Sequence, residues 1–117
     1  MLYLSDLRSY YLCCVPTDMR KGFDGLCGIV TSGLQMDALN EAVFIFFNRK
    51  RNQLKLLLWE GDGFAIYYKR LEKGTFEIPV ANDGVSSVSI TARQLQFILQ
   101  GISLQTIQFR KRYKKAV

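Results

Sequence analysis

AVFIFFNRKRNQLKLLLWEGDGFAIYYKR, residues 42–70, decides the fold. Three apolar runs, AVFIFF (42–47), QLKLLLW (53–59) and FAIYYKR (64–70), are parted by the short polar connections NRKRN and EGDG. Connections of this length allow antiparallel hairpins and are too short for parallel crossovers. The stretch predicts a three-stranded antiparallel meander. Asp62-Gly63 is a strong hairpin signal by itself, so Glu60 and Asp62 are read as turn residues and not as metal ligands.

Side chains alternate across a strand, which sorts these residues onto two faces. Centring the second turn on Gly61-Asp62 pairs Trp59 with Phe64, Leu57 with Ile66 and Lys55 with Tyr68. Centring it on Asp62-Gly63 shifts the partners by two and leaves the faces unchanged. One face holds Lys55, Leu57, Trp59, Phe64, Ile66, Tyr68 and Arg70. The other holds Leu54, Leu56, Leu58, Ala65, Tyr67 and Lys69. Neither is polar through its middle, so both need cover. Two helices are expected on the aliphatic face. The aromatic face then requires a terminal segment, a second subunit or a ligand.

Upstream, YYLCCV (10–15) reads as a short strand ended by Pro16. Thr17 is placed to cap a helix starting at Asp18, with Met19, Phe23, Leu26, Cys27, Val30 and Leu34 as its apolar stripe. Gly22, Gly25 and Gly28 weaken that helix and suggest a close approach to it; Gly33 is its expected terminator. Downstream, TFEIP (75–79) is expected as a fourth strand and ANDGVSS (81–87) as a loop. Thr91 and Gln94 fit a capping box, Leu95, Ile98, Leu99 and Ile102 follow as a stripe, and Gly101 is the expected stop. The fold class is therefore α+β: one domain over residues 1–109, an antiparallel meander packed with about two helices.

Composition narrows the function classes. The chain has 117 residues and no histidine, which removes His-based acid/base catalysis and the ordinary zinc patterns. Its three cysteines, Cys13, Cys14 and Cys27, are read as reduced and packed as small apolar groups. No run of eighteen apolar residues occurs, and the N-terminus lacks the features of a secretory signal, so a soluble cytoplasmic protein without a membrane span is expected. Net charge is +6, yet five of the sixteen bases, Arg110, Lys111, Arg112, Lys114 and Lys115, fall in the tail 110–117. The eleven others nearly balance ten acids. A basic tail on a near-neutral body suits phosphate polyanions or acidic proteins, as well as a solvated end.

Three separated strings, PTDMRKGFDGL (16–26), FIFFNRKRNQLKLLLWEGDGFAIYYKRLEKGTF (44–76) and ITARQLQFILQGI (90–102), resemble the small accessory protein encoded by the second open reading frame of bacterial transposons of the Insertion Sequence 66 type. The resemblance implies a part in transposition beside a separately encoded transposase and other proteins of the same operon. It carries no catalytic residues, metal or cofactor across, and a non-enzymatic role is expected. The residues themselves offer two modes of action. In one, Arg49, Lys50 and Arg51, extended by Lys69, Arg70 and Lys73 and by the tail, contact phosphates of transposon-end DNA. In the other, the Trp59, Phe64 and Tyr68 face binds the transposase or a second copy of the chain, without DNA contact.

Overall fold

The computed structural model describes residues 4–79 and 84–102. Five strands, β1 (Tyr10–Cys13), β2 (Val43–Phe47), β3 (Gln53–Trp59), β4 (Phe64–Arg70) and β5 (Ser87–Ile90), form one sheet in the order β4-β3-β2-β1-β5. Helix α1 (Phe23–Gly28), prolonged by a π-helical turn (Ile29–Gly33), connects β1 to β2, and α2 (Ala92–Gln100) follows β5. The expected meander is present, with Trp59 opposite Phe64, Leu57 opposite Ile66 and Lys55 opposite Tyr68. This is the register centred on Gly61-Asp62, and Gly61 takes a positive φ of 92° there. The α+β class stands, with one parallel contact, β1 against β2, in an otherwise antiparallel sheet.

β2 is the reason that the sheet must be covered twice. All five of its residues are buried, and alternation sends Val43, Ile45 and Phe47 to one side and Phe44 and Phe46 to the other. On the first side they meet Leu54, Leu56, Leu95, Ile98 and Leu99, so α2 covers the aliphatic face as expected. On the second they meet Leu57, Leu26, Val30 and Leu34, so α1 and its π-helical turn cover the other face. The expectation of both helices on one face is thereby corrected. A parallel β1–β2 pair needs a crossover, and its helix closes the face left open by α2.

Three local expectations also change. The first helix starts at Phe23, with Gly22 as its N-cap, and not at Asp18. Thr17 does not cap it: the Thr17 amide donates to the Phe47 carbonyl at 2.8 Å, and its hydroxyl donates to the Val15 carbonyl. Within the expected stripe Leu26, Val30 and Leu34 are buried, while Phe23, now in the first turn, is exposed. Residues 75–79 are not a strand; they run alongside the sheet and press Phe76 and Ile78 into the α2-side core. The additional strand is β5, which includes Ser87 of the expected loop and pairs antiparallel with β1. Ser-Val-Ser-Ile alternates as a strand should but is only four residues long, a weak local signal, and it gains its partner only through tertiary contact.

The second helix is as expected. The Thr91 hydroxyl accepts from the Gln94 amide at 3.0 Å, the Gln94 side chain accepts from the Thr91 amide at 2.8 Å, and Gly101 closes the helix in the left-handed region. The three cysteines are free, and burial raises the pKa of the Cys14 and Cys27 thiols. Among the described residues no helix is long and apolar enough to cross a membrane. The basic residues at 110–115 lie outside the described residues.

Of the α1 glycines only Gly25 is closely approached, since an added Cβ would lie 3.1 Å from Lys21 Cβ. Gly28 has ordinary helical dihedrals (φ −61°, ψ −40°) and open space where a Cβ would stand. Gly28→Ala is therefore expected to raise stability by about 0.5–1 kcal/mol, read as a higher denaturant midpoint. Gly25→Ala should gain less, because Lys21 must move aside. Equal gains at both sites would contradict this account.

Candidate nucleic-acid interface

The basic connection between β2 and β3 is a built loop. Asn48 Oδ1 accepts from the amides of Asn52 and Gln53, both at 3.0 Å, and Asn48 Nδ2 donates to Asn52 Oδ1 at 2.7 Å. Side chains of this kind imitate backbone turns, which is why asparagine stands at both ends. Arg51 sits in the left-handed region with φ 58°, and its guanidinium lies over the Phe47 ring, 5.8 Å from the centroid. The segment after β4 braces the same loop: the Leu71 amide donates to the Asn52 carbonyl at 2.8 Å and the Phe76 amide to the Arg51 carbonyl at 2.7 Å. Arg49, Lys50 and Arg51 therefore project, exposed, from a fixed turn.

A second basic loop is brought beside the first by Lys55. This residue sits in the middle of β3 and is only 9% exposed. Its ammonium donates to the carbonyls of Met19 and Lys21 at 2.8 and 2.9 Å and lies over the Tyr68 ring, 4.8 Å from the centroid. A buried cation needs such partners, and charge-assisted bonds to two carbonyls supply them. The loop 17–21 is thus fixed at both ends, to Phe47 through Thr17 and to β3 through Lys55. Between the two loops lies an open cleft of about 680 Å³, whose lining includes Arg20, Asn48, Arg49, Lys50, Gln53 and Tyr68.

Charge in the cleft is not uniform. Asp18 accepts from the Arg20 amide at 2.9 Å, and the Arg20 guanidinium folds back on the same carboxylate, with Nη2 to Oδ2 at 2.7 Å. The side-chain bond to Arg20, then the backbone bond, hold the Asp18 carboxyl at about 2, below the ordinary 3.8. The charge of Arg20 is therefore offset by its neighbour. Arg70 likewise pairs with Glu72 at 3.1 Å. Among the described residues these are the two ion pairs, so Arg49, Lys50 and Arg51 keep their charge unpaired.

The residues singled out from the sequence fall in different places. Arg49, Lys50, Arg51, Arg70 and Lys73 gather at one end of the sheet, since Arg70 stands opposite Gln53 and the 71–76 segment is tied to the loop. Lys69 points to the other face, where its ammonium donates to the Leu99 carbonyl at 3.0 Å, at the C-terminal end of α2. Tyr68 lines the basic cleft, but Trp59 and Phe64 form an edge-to-face pair with ring centroids 5.0 Å apart at the far end of the hairpin. Seven residues of β3 separate the two ends, about 20 Å. Arg20 and Lys21 were not singled out; their presence in the matched string PTDMRKGFDGL was the available signal.

Two measurements check this arrangement. Lys55→Met should lower stability by about 2–3 kcal/mol and speed amide exchange in residues 17–21, because the carbonyls of Met19 and Lys21 lose a charged donor. An unchanged denaturant midpoint would count against Lys55 as the anchor. The Asp18 carboxyl should titrate by NMR near 2 and return towards 3.8 in Arg20→Ala. Its pKa is lowered on folding, so the contribution of the pair is complete above the unfolded value and disappears as pH falls towards 2.

Comparison with known proteins assigns the sequence to a family. A family model described as "IS66 Orf2 like protein" matches residues 8–109, a span that takes in every strand and helix described above. The uncharacterized protein y4hO of Sinorhizobium fredii (strain NBRC 101917 / NGR234) is 36% identical over 86 residues, covering 74% of this chain and 73% of that protein. The uncharacterized protein y4jC of the same organism is 34% identical over 74 residues, 63% of each chain. No solved structure matches significantly. The chain belongs to the family of IS66 Orf2-like proteins, accessory proteins of insertion-sequence transposition.

Proposed function

We propose that this protein is a non-catalytic accessory of transposition that works in the cytoplasm and holds transposon-end DNA by its phosphate backbone. The supporting observation is the cleft between two fixed basic loops, with Arg49 and Lys50 exposed on one side and Arg20 on the other. Loops braced at both ends present charge at little entropic cost, which suits contacts to a regular array of phosphates. Such contacts position DNA without reading its sequence, and selection of the site falls to the separately encoded transposase.

A second surface favours that partner. Trp59 and Phe64 stand about 20 Å from the basic cleft, next to the acidic turn Glu60–Gly63, where attraction for phosphate is weakest. Paired, partly buried aromatics are common anchors of protein interfaces. We assign this end to the transposase, or to a second copy of the chain, and the basic end to DNA.

Binding of a labelled transposon-end duplex, measured across a salt series, tests the first assignment. Log affinity should fall steeply with log salt, and Arg49→Ala with Lys50→Ala should flatten the slope by about 0.9 for each phosphate no longer neutralised. Deleting residues 110–117 should flatten it further. Asp18→Asn should tighten binding, since it releases Arg20 from its ion pair. Salt-independent binding, or none at low salt, would refute the DNA assignment. Co-purification with the transposase should survive charge reversal at Arg49, Lys50 and Arg51 and disappear in Trp59→Asp.

A further inference from the structure

The geometry points to a subsite for one unstacked nucleotide within the basic cleft, with the base against Tyr68 and its flanking phosphates on Arg49 and Lys50; we propose that the protein prefers single-stranded to duplex DNA there. This inference rests on the phosphate-binding assignment and goes beyond it, because phosphate contact alone gives no preference for an unpaired base.

Tyr68 carries the argument. It is 51% exposed and lines the cleft, unlike the paired aromatics Trp59 and Phe64. Lys55, directly opposite on β3, sets its ammonium 4.8 Å from the ring centroid. That cation occupies one face of the ring and draws on its π electrons. β4 is an edge strand, and among the described residues no strand lies beside it on the side away from Lys55. A ring polarised from one side and open on the other suits the electron-rich face of a nucleobase. The ring is also held in place, since its hydroxyl donates to Gln53 Oε1. With that oxygen taken, the Gln53 amide nitrogen is left to meet the edge of a base, and it too lines the cleft.

Charge and space agree with this occupant. Arg49 and Lys50 have no ion-pair partner among the described residues and share the cleft with Tyr68. The volume of about 680 Å³ falls within the roughly 300–1,000 Å³ range of small-ligand clefts. In a duplex the bases stack on each other and their faces are closed to a side chain; a single strand leaves them available. An aromatic ring beside a basic rim is the pairing that non-specific single-strand binders use.

The test compares the full chain binding to a short single-stranded oligonucleotide, carrying a fluorescent purine analogue at its centre, with binding to the duplex of the same sequence. Wild type should bind the single strand more tightly and quench the analogue on binding. Tyr68→Leu should weaken single-strand binding by about 5- to 30-fold, abolish quenching and leave duplex binding within about two-fold. Tyr68→Phe and Tyr68→Trp, which keep a ring over Lys55, should retain both the preference and the quenching. Circular dichroism confirms that each variant is folded; if Tyr68→Leu is not, loss of quenching on adding Arg49→Ala and Lys50→Ala to the wild-type ring, with folding intact, serves in its place. Equal affinity for the two DNAs, or quenching that persists without the ring, would overturn the subsite while leaving the phosphate assignment standing. Failure of wild type to bind either DNA at low salt would overturn both.

Discussion

The arrangement of the basic end depends on one buried cation. Lys55 is nearly fully buried on the sheet face that α1 covers, and an ammonium there is tolerated only where its lost hydration is replaced. The Met19 and Lys21 carbonyls and the Tyr68 ring provide the replacement. That requirement reaches beyond Lys55 itself. The chain from Thr17 to Lys21 must hold its carbonyls toward β3, so it stays in a loop and the helix waits until Phe23. Arg20 is set across the cleft from Arg49 and Lys50 as a consequence. One interaction thereby joins the α1 crossover, the hairpin and the cleft.

The hairpin separates opposite charges by the length of its strands. Arg49, Lys50 and Arg51 project at one end, while Glu60 and Asp62 flank the turn at the other, about 20 Å away. At physiological salt the screening length is about 8 Å, so the two ends act as independent surfaces. Within the basic end, Asp18 and Glu72 each neutralise a neighbouring arginine, which concentrates the unbalanced charge on the β2–β3 loop. Exposed pairs of this kind add little to stability, and their effect here is on the local field.

What could be read in the sequence was what neighbouring residues decide among themselves. The hairpin register, the two sheet faces and the Thr91–Gln94 box follow from alternation and from short-range hydrogen bonds, and the structure has each of them. The parallel β1–β2 contact and the β5 strand depend on partners more than thirty residues away, and in Ser87–Ile90 the alternation of Val88 and Ile90 with serines spans only four residues, too short to announce a strand by itself. Thr17 and Asp18 have the local sequence of a helix start, and a distant lysine overrides it. Lys55 itself read as a flank of an aromatic face. Its burial could not be inferred without knowing that α1 packs on that side. The basic hairpin loop was legible for the same local reason as the turn, whereas the opposing loop was not.

A sheet covered on both faces has only its edges and ends left for recognition, which is where rigid scaffolds commonly carry their binding loops. In this protein that restriction also limits what recognition can achieve. The end of the sheet offers a few exposed cations on short, braced loops. Under the proposed DNA assignment, phosphate contacts would give a salt dependence that grows with their number and little discrimination between sequences. If the proposed DNA assignment holds, an accessory built this way would raise the local concentration of DNA and fix its path, and a partner would read the transposon ends. The Trp59–Phe64 pair is held clear of the basic cleft by the full length of β3, so the two proposed surfaces would not compete for the same end of the sheet.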